Sequence, residues 1–460
     1  MPRFRGLAVS LAALSLFSLV EKDLGGSAQA AAAKEGRIAY LKKHAVPVRS
    51  IDAEDGNFAD LEPLREAIGS RRIVMLGEAT HGDGATFAAK VRLIKFLHER
   101  MGFDVLAFES GFYDLRRAWS ALQAGQDPRQ AVSSGLFEEW SASRQTQPLW
   151  SYLAEQSKTS HPLALAGFDM QFTGSASRDH LLDDLSNYLA GAGLPPGAAE
   201  AAEAAARVKK ALALVLENPN FIGNGSEFKN IKPEDQAAVL IAHQALGRAL
   251  GLLPPTDEPG MLERDFWMQF LKSSAAYLEQ SWRVQPESLD DAVLDWAIDL
   301  RDRQMADNFI WLAKRAYPTR KIIVWAATSH IIRYRQFSVN KNDPKNLMGD
   351  WIDKAMGPEV YVLGFTAYRG RWGTVQMPTS REVGPAAPDS LEELFFSAGF
   401  EYAWLDFRNS GADGAWLREP LSSRPLGYKP MLTDWTRIMD GMFFIKEMVP
   451  SPRIEINFFR

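Results

Sequence analysis

The sequence contains no cysteine and no block of basic residues. A chain without cysteine has no disulfide, no thiolate metal site, no cysteine nucleophile and no cysteine-linked lipid anchor. A net charge of −5, without a basic block, argues against nucleic acid as a partner. Stability must therefore come from an apolar core, and 460 residues with 46% hydrophobic content provide ample material for one.

Several catalytic motifs are missing as well, and the sequence shows no internal repeat. There is no Gly-x-Ser-x-Gly nucleophile elbow, no glycine-rich loop ending in Gly-Lys-Ser/Thr, and no His-Glu-x-x-His. The sequence thus provides no obvious serine nucleophile and no nucleotide-phosphate site. Any catalytic chemistry must come from residues that these motifs do not describe.

The N-terminus has the pattern of a secretory signal peptide. Arg3 and Arg5 precede an apolar run, Leu7–Val20, and Ser27–Ala30 offers an Ala-x-Ala-type cleavage site. We predict a signal peptide over residues 1–30, export to the periplasm or the medium, and a mature chain starting near Ala31. The run is short for a bilayer span, so no stable membrane anchor is expected after cleavage. An apolar N-terminal helix is the alternative.

Short apolar runs separated by helical patterns recur along the rest of the chain. This alternation predicts an α/β protein with a mainly parallel sheet and helices on both faces, a three-layer α/β/α arrangement. The runs predicted to be buried strands are Arg72–Leu76, Asp104–Phe108, Leu163–Phe168, Lys321–Ala326, Val360–Phe365, Tyr402–Leu405 and Met442–Ile445.

The interval from about residue 181 to residue 312 has a different pattern. Ala198–Arg207 and Asp235–Leu252 are rich in strong helix formers, and Phe266–Trp282 carries apolar residues at helical spacing. We predict a helical insertion between the third and fourth predicted strands, within one catalytic domain spanning residues 31–460. The alanine-rich part could instead be a low-complexity linker.

Ionisable side chains follow four of the predicted strands. Parallel sheets present their functional groups at the carboxyl ends of their strands, so these side chains should lie together. Two of them are histidines in a chain that has only seven. Each alone could cap a helix or complete a turn, but as a cluster they favour a functional site. The candidates are Glu78 and His81, then Glu109, then Asp169 with Gln171, and finally His330. Glu78 and His81 lie between Gly77 and Gly82, on backbone that we expect to need the conformational freedom of glycine.

A histidine flanked by carboxylates, without a nucleophile, suggests general-base hydrolysis. His81 would take a proton from water, which attacks a carbonyl, while a carboxylate fixes the imidazole tautomer. His330 or a basic side chain would stabilise the oxyanion or protonate the leaving group. Two histidines and several carboxylates could instead hold a divalent metal. A binding protein without catalytic activity is a third alternative.

The motifs resemble those of the erythromycin esterase family. The likeness rests on Gly77–Gly82 (Gly-Glu-Ala-Thr-His-Gly), Gly102–Glu109, Gly167–Gln171, Arg301–Asn308 and the stretch from Trp325 to His330, and it continues to Ile445. The resemblance implies a three-layer fold with a helical insertion. It also implies hydrolysis of a small-molecule carboxylic ester, typically a macrolide lactone in an antibiotic response. Water would attack without a covalent intermediate, and no cofactor is expected.

The family resemblance also implies roles for individual residues. His81 aligns with the histidine proposed as the base, and Glu78 and Glu109 align with the motif glutamates that would orient it. Lys90 stands where relatives often have an arginine, and it would support the transition state. Asp169 and Gln171 are predicted to contact the substrate.

One departure from the family pattern lies after the fourth predicted strand. The family usually has Trp-x-His-Asn-x-His there, and this chain keeps the second histidine as His330. Ala327 replaces the first histidine of the family pattern, and Thr328 replaces its asparagine. Because a proton donor or oxyanion partner is lost, we expect a slow macrolide esterase or activity on another ester. The metal alternative also loses a neutral ligand.

Overall fold

A computed structural model describes residues 29–193, 199–217, 231–284, 290–333 and 346–454. The predicted signal peptide, residues 1–30, lies almost wholly outside this part of the chain, and the first described element is a helix over residues 29–44. Within the described ranges, no helix has the length and apolar character needed to cross a membrane.

A nine-stranded sheet, counted over the described residues, forms the centre of the protein. Its strands are β1 Val46–Pro47, β2 Ile73–Leu76, β3 Val105–Gly111, β4 Ala164–Asp169, β5 Ile322–Trp325, β6 Val360–Trp372, β7 Arg381–Val383, β8 Tyr402–Asp406 and β11 Gly441–Met448. Their order in the sheet is β1-β8-β11-β6-β2-β5-β3-β4, with β7 paired to β6. Neighbours from β11 to β4 are parallel, whereas β8 and β1 add antiparallel strands at one edge.

All seven predicted strands are present, and the prediction of a mainly parallel α/β sheet is confirmed. Four strands were not predicted: β1, β7 and a separate antiparallel ribbon made of β9 Leu421–Ser423 and β10 Met431–Thr433. Each has only two or three residues, which is too short for an apolar run to develop. In β1, Pro47 is tolerated because the strand lies at the sheet edge.

Alternate side chains of the central strands pack into two cores, one on each face of the sheet. In β2, Val74 and Leu76 belong to one core, and Ile73 and Met75 belong to the other. All four are buried, as expected for a parallel strand covered on both faces. The three-layer arrangement follows directly, since each face must be covered by helices.

The helices that cover the Val74 face come mainly from the first part of the chain and include Glu62–Ile68, Gly84–Met101, Pro128–Ser133 and Gln147–Gln156. Helix Gly84–Met101 ends just before Gly102. Gly102 adopts a left-handed conformation (φ 71°), and its N–H donates to the carbonyl of His98.

Among the residues that the structure describes, five α-helices between β4 and β5 cover much of the opposite face. They occupy the interval of the predicted insertion, although the first starts at residue 175 rather than 181. Their apolar residues share one core with Ile73 and Met75, and the alanine-rich segment is helical rather than an irregular linker. The five are Ser175–Ala192, Ala199–Leu216, Pro233–Gly251, Glu258–Arg283 and Asp291–Trp311.

Candidate active site

The strand order brings the predicted site residues to one edge of the sheet. β2, β5, β3 and β4 are consecutive neighbours, and all four run parallel. Their carboxyl ends therefore meet side by side, which is where functional groups collect in such sheets. Two hydrogen-bonded clusters form there, one centred on Glu78 and the other on Glu109.

Glu78 is fully buried, and its carboxylate is held by three different side chains. Oε1 lies 2.9 Å from Nδ1 of His81 and accepts from Nε1 of Trp140 at 3.0 Å. Oε2 accepts from Nζ of Lys90 at 2.8 Å. Lys90 is also completely buried, with Nζ 4.3 Å from the Trp325 ring centroid. Both oxygens of this buried carboxylate therefore have nitrogen partners.

The His81 side chain reaches the surface of the site, and 40% of it is exposed. Because its Nδ1 faces Glu78, the neutral ring carries its proton on Nδ1 and keeps a lone pair on Nε2. Burial disfavours the charged ring, but the hydrogen bond that His81 donates to Glu78 and the charges of Glu109 and Glu78 outweigh it and raise the pKa of His81 above its ordinary value. These carboxylates make the imidazole a stronger base than a free histidine.

The glycines around His81 are required for close packing. The sequence suggested that this backbone needs the conformational freedom of glycine, but neither Gly77 nor Gly82 has a positive φ. A Cβ on Gly77 would lie 2.5 Å from Oγ1 of Thr328, and one on Gly82 would lie 2.6 Å from the carbonyl carbon of Gly373. That prediction is therefore corrected: the constraint is the approach of other segments.

Two segments from the C-terminal part of the chain hold the loop that carries His81. The N–H of Gly373 donates to the carbonyl of Gly82 at 3.1 Å. The N–H of Gly427 donates to the carbonyl of Ala79 at 3.0 Å. The loop is thus fixed from outside as well as by its own side chains.

Glu109 forms the centre of the second cluster and is buried. Oε2 accepts from the backbone N–H of Ala327 at 2.8 Å, and Oε1 lies 3.0 Å from Nη2 of Arg301 and 3.1 Å from Nε2 of His330. Burial would raise its pKa, but the charges of His330, His81 and Arg301 hold the pKa of Glu109 well below its usual range. Glu109 therefore remains a carboxylate.

His330 is bound at both ring nitrogens. Nδ1 lies 2.8 Å from Oδ1 of Asp302, and Nε2 faces Glu109. Burial opposes the charged ring, yet the two carboxylates raise the pKa of His330 to about 10. The sequence suggested that His330 could protonate a leaving group. This geometry does not favour that role, because both N–H groups are already donated to carboxylates.

Arg301 connects Glu109 with Asp169 and was not among the predicted site residues. It lies on helix Asp291–Trp311, and its Nε and Nη2 both contact the Asp169 carboxylate. Asp169 is fully buried and also accepts from the N–H of Gln171 at 3.2 Å. Asp169 and Gln171 were predicted to contact the substrate, but the contacts of Asp169 hold Arg301 instead.

Sequence reasoning also missed Trp140 and Asp302 as site residues. Arg301 and Asp302 belong to a stretch whose sequence resembles the family, so the sequence did contain a signal for them. They were missed because they lie on a helix and do not follow a predicted strand. Trp140 lies on the short helix Glu138–Ser141 and had no signal. The difference from the family pattern at residue 327 is also present in the structure. The backbone N–H of Ala327 donates to Glu109, and its side chain offers no donor.

The site carboxylates already have nitrogen partners. Over the described residues, no group of three or more histidine, aspartate or glutamate side chains is arranged to hold a metal. Lys90, Arg301 and the His330 ring occupy the positions that a cation would take beside Glu78, Glu109 and Asp169. The donor set does not fit a divalent metal well.

A three-layer α/β fold with two histidine–glutamate pairs at neighbouring strand ends is compatible with a hydrolase, and the comparisons with known proteins define the class further. A family model described as Erythromycin esterase matches residues 98–448. Since that is most of the chain, the protein belongs to the erythromycin esterase family and is a hydrolase. The match includes Glu109, Arg301 and His330 and starts after Glu78 and His81.

Individual relatives cover nearly the whole chain. The protein is 26% identical over 451 residues to YbfO of Bacillus subtilis (strain 168), and the match covers 95% of this chain and 97% of that protein. YbfO is itself named only as a putative hydrolase. It is 22% identical over 446 residues to an erythromycin esterase type II of Escherichia coli, covering 89% and 97%.

Two solved structures support the fold. A crystal structure of a Bacillus cereus protein matches with a TM-score of 0.74 at 17% identity, covering 92% of this chain and 99% of that one. An erythromycin esterase mutant, EreC in its open conformation, matches with a TM-score of 0.63 at 17% identity, covering 88% and 98%.

Proposed function

We propose that the protein hydrolyses a carboxylic ester, with a lactone as the favoured substrate class, by attack of a water molecule that His81 deprotonates. The main observation in support of this proposal is the hydrogen bond between His81 Nδ1 and the buried Glu78 carboxylate. This pairing orients the ring and leaves Nε2 as a proton acceptor on a side chain that is 40% exposed. The water adds to the carbonyl carbon without a covalent enzyme intermediate. The ester C–O bond then breaks, and the proton that His81 took from the water passes to the leaving alkoxide oxygen.

Glu78 acts through His81 and does not touch the substrate. When His81 takes a proton, the carboxylate beside it stabilises the imidazolium. Lys90 and Trp140 hold that carboxylate in place by donating hydrogen bonds to it. Lys90, which the sequence suggested as a direct support of the transition state, is completely buried and thus acts through Glu78.

Arg301 is the best candidate for stabilising the negative charge that develops on the carbonyl oxygen. Its Nη2 and Nε contact Asp169 and Glu109, whereas Nη1 has, among the described residues, only a 3.5 Å contact with Nε2 of His330. Two like charges face each other there, so Nη1 has no hydrogen-bond acceptor among the described residues and can donate to a substrate oxygen. A fixed guanidinium in a largely buried site is well suited to an oxyanion.

The macrolide activity implied by the family resemblance remains part of this proposal only in a weaker form. With Ala327 in place of a histidine, one donor is missing, and removing such a donor commonly lowers the rate by about 10² to 10³. We therefore propose a slow macrolide esterase, or an esterase whose natural lactone or ester is a different one. Export remains a proposal, which fractionation of producing cells would test.

The test is a panel of lactones, simple esters and macrolides assayed with wild type and His81→Gln. We expect His81→Gln to lose at least about 10² in kcat/KM on any ester that the wild type hydrolyses. The matched control is His180→Gln, at an exposed histidine outside the site, which should keep wild-type rates. Full activity in His81→Gln would contradict the proposal. Ligand-induced melting shifts without turnover on the whole panel would favour a binding protein.

A further inference from the structure

The helix that carries Arg301 has one continuous stripe of side chains along its length. Residues spaced three or four apart lie on the same face of a helix. In helix Asp291–Trp311 these residues are Leu294, Ile298, Arg301, Met305 and Phe309. Met305 and Phe309 are buried in one of the two cores beside the sheet, so this face is the one that packs against the sheet.

Exposure rises along this stripe from the sheet towards the start of the helix. Phe309 and Met305 are 0% exposed, and the side chain of Arg301 is 20% exposed. Ile298 and Leu294, which come next, are 42% and 38% exposed. The face that is covered by the sheet at its lower end is therefore uncovered at its upper end, because the helix continues beyond the edge of the sheet.

Arg301 marks the point where the stripe reaches the hydrolytic site. Its guanidinium contacts Glu109 and Asp169, which lie at the carboxyl ends of β3 and β4. With a rise of about 1.5 Å per residue, Ile298 lies about 4.5 Å and Leu294 about 10.5 Å further along the helix axis. The two apolar side chains thus extend the stripe from the site outward, beside the guanidinium that would meet a substrate oxygen.

Large apolar side chains are seldom exposed elsewhere in the described part of the chain. Six are exposed there, and Leu294 and Ile298 are two of the six. Neither of them belongs to a core. A single exposed apolar residue is ordinary, but two in successive turns, on the face that carries a site residue, form an apolar surface that adjoins the site. Small-molecule sites typically combine such an apolar wall with a few placed polar groups.

We propose that Ile298 and Leu294 form a strip that binds an alkyl chain of the substrate. The inference rests on the proposed function, since it takes the ester carbonyl to lie between His81 and Arg301. The chain leaves the carbonyl on the Arg301 side and packs along the helix, first on Ile298 and then on Leu294. The substrate class is accordingly a lactone or ester that carries a linear apolar chain.

Hydrolysis by the full protein should become faster as the chain of the substrate lengthens. The probes are γ-butyrolactone, γ-octalactone and γ-dodecalactone, which share one ring and carry no chain, a butyl chain and an octyl chain. A fully buried methylene contributes up to about fourfold in affinity, and the strip covers one side of the chain. We therefore expect kcat/KM to rise at least about tenfold at each step. Each value is divided by the rate of the same lactone with hydroxide, which removes differences in intrinsic reactivity.

Two variants then locate the chain on the helix. Ile298→Ser should lower the ratio of kcat/KM for γ-octalactone to that for γ-butyrolactone at least about fivefold, because the butyl chain reaches the first turn above Arg301. Leu294→Ser should lower the ratio for γ-dodecalactone to γ-octalactone at least about fivefold, because only the octyl chain reaches the second turn. Ile298→Leu, which keeps the apolar surface, should retain the wild-type ratio. A ratio within one variant does not depend on how much of that variant is folded.

The matched controls are Ile241→Ser and Leu252→Ser. Both residues are exposed apolar side chains, 61% and 79%, in or directly after helix Pro233–Gly251, and both variants should keep the wild-type ratios. Wild-type ratios in Ile298→Ser and Leu294→Ser would overturn the assignment of the strip.

The further inference and the proposed function fail in different ways. If wild type hydrolysed all three lactones at equal normalised rates, and His81→Gln did not, the strip would be overturned and the role of His81 would be retained. If wild type hydrolysed none of the three, the strip and the lactone substrate class would be overturned together.

Discussion

Nζ of Lys90 lies 2.8 Å from Oε2 of Glu78, and both side chains are completely buried. Removing one member of such a pair leaves an unpaired charge in the interior, which is far more costly than exchanging both members for neutral groups. The pair therefore links the stability of the fold to the orientation of His81, since the same carboxylate binds Nδ1 of that ring.

We expect Lys90→Met to lower the free energy of unfolding by about 3–5 kcal/mol and to reduce kcat/KM as well. The double variant Lys90→Met with Glu78→Gln should regain part of the stability but none of the activity, because the charge that orients His81 is gone. Urea unfolding and ester kinetics measure the two effects. If the double variant lost more free energy of unfolding than the two single variants lose together, the two residues would not stabilise each other as a pair.

The pH dependence of kcat/KM should be bell-shaped. The carboxylates around His81 raise its pKa above the ordinary 6.5, so activity should rise with pH through a midpoint above that value as the base becomes neutral. Burial lowers the pKa of Lys90 to about 8, against the opposing charge of Glu78. Activity should fall again above about pH 8 as Glu78 loses its cation. A flat profile from pH 5 to 10 would rule out this assignment.

His330 should stabilise the fold in a specific pH window. Its pKa is raised from 6.5 to about 10 by Asp302 and Glu109, despite burial. A raised histidine pKa contributes stability that is fully present below pH 6.5 and is lost as the pH rises through about 10. The stability difference between wild type and His330→Gln should therefore shrink towards pH 10.5 in denaturant titrations. His180→Gln, at an exposed histidine, should show no such trend.

Restoring the family histidine at residue 327 should change the substrate range. Ala327 lies beside Glu109 through its backbone N–H, so an imidazole at this residue would enter the same cluster. We expect Ala327→His to raise macrolide hydrolysis by about 10² if a donor is what the site lacks. Ala327→Gln, which adds a polar side chain without an imidazole, serves as control. If macrolide rates stayed unchanged in Ala327→His, the natural substrate would have to be sought among other esters.

Chelation should leave ester hydrolysis intact. The carboxylates of Glu78, Glu109 and Asp169 are each neutralised by a lysine, an arginine or a histidine, so the proposed mechanism needs no divalent ion. Activity measured after dialysis against EDTA should equal that of the untreated protein. A loss that zinc or magnesium restores would favour the metal-dependent alternative.

The sequence predicted the strand-end residues because apolar runs mark buried parallel strands wherever they occur. Glu78, Glu109 and Asp169 each follow such a run directly, so their shared edge could be inferred once the strands were assigned. The adjacency of β2 and β5, which are almost 250 residues apart, could not be read from the sequence; it depends on the sheet order.

Residues that reach the site from helices were harder to predict. Arg301 projects from a helix on one side of the sheet, and Trp140 lies on a helix of only four residues. Neither position is marked by a strand end or a glycine. The role of Gly82 was misjudged for a similar reason: its constraint comes from Gly373, a long-range contact that no local pattern encodes.

The contacts of Gly373 and Gly427 with the His81 loop have a consequence for biosynthesis. The ribosome synthesises the loop that carries His81 roughly 290 residues before Gly373 and still earlier relative to Gly427, and contacts of such sequence separation form late in folding. A nascent or C-terminally truncated chain would carry every residue of the histidine–glutamate pair and yet leave its loop unsupported. Hydrolytic competence would therefore arise only near the end of synthesis, as a property of the finished chain.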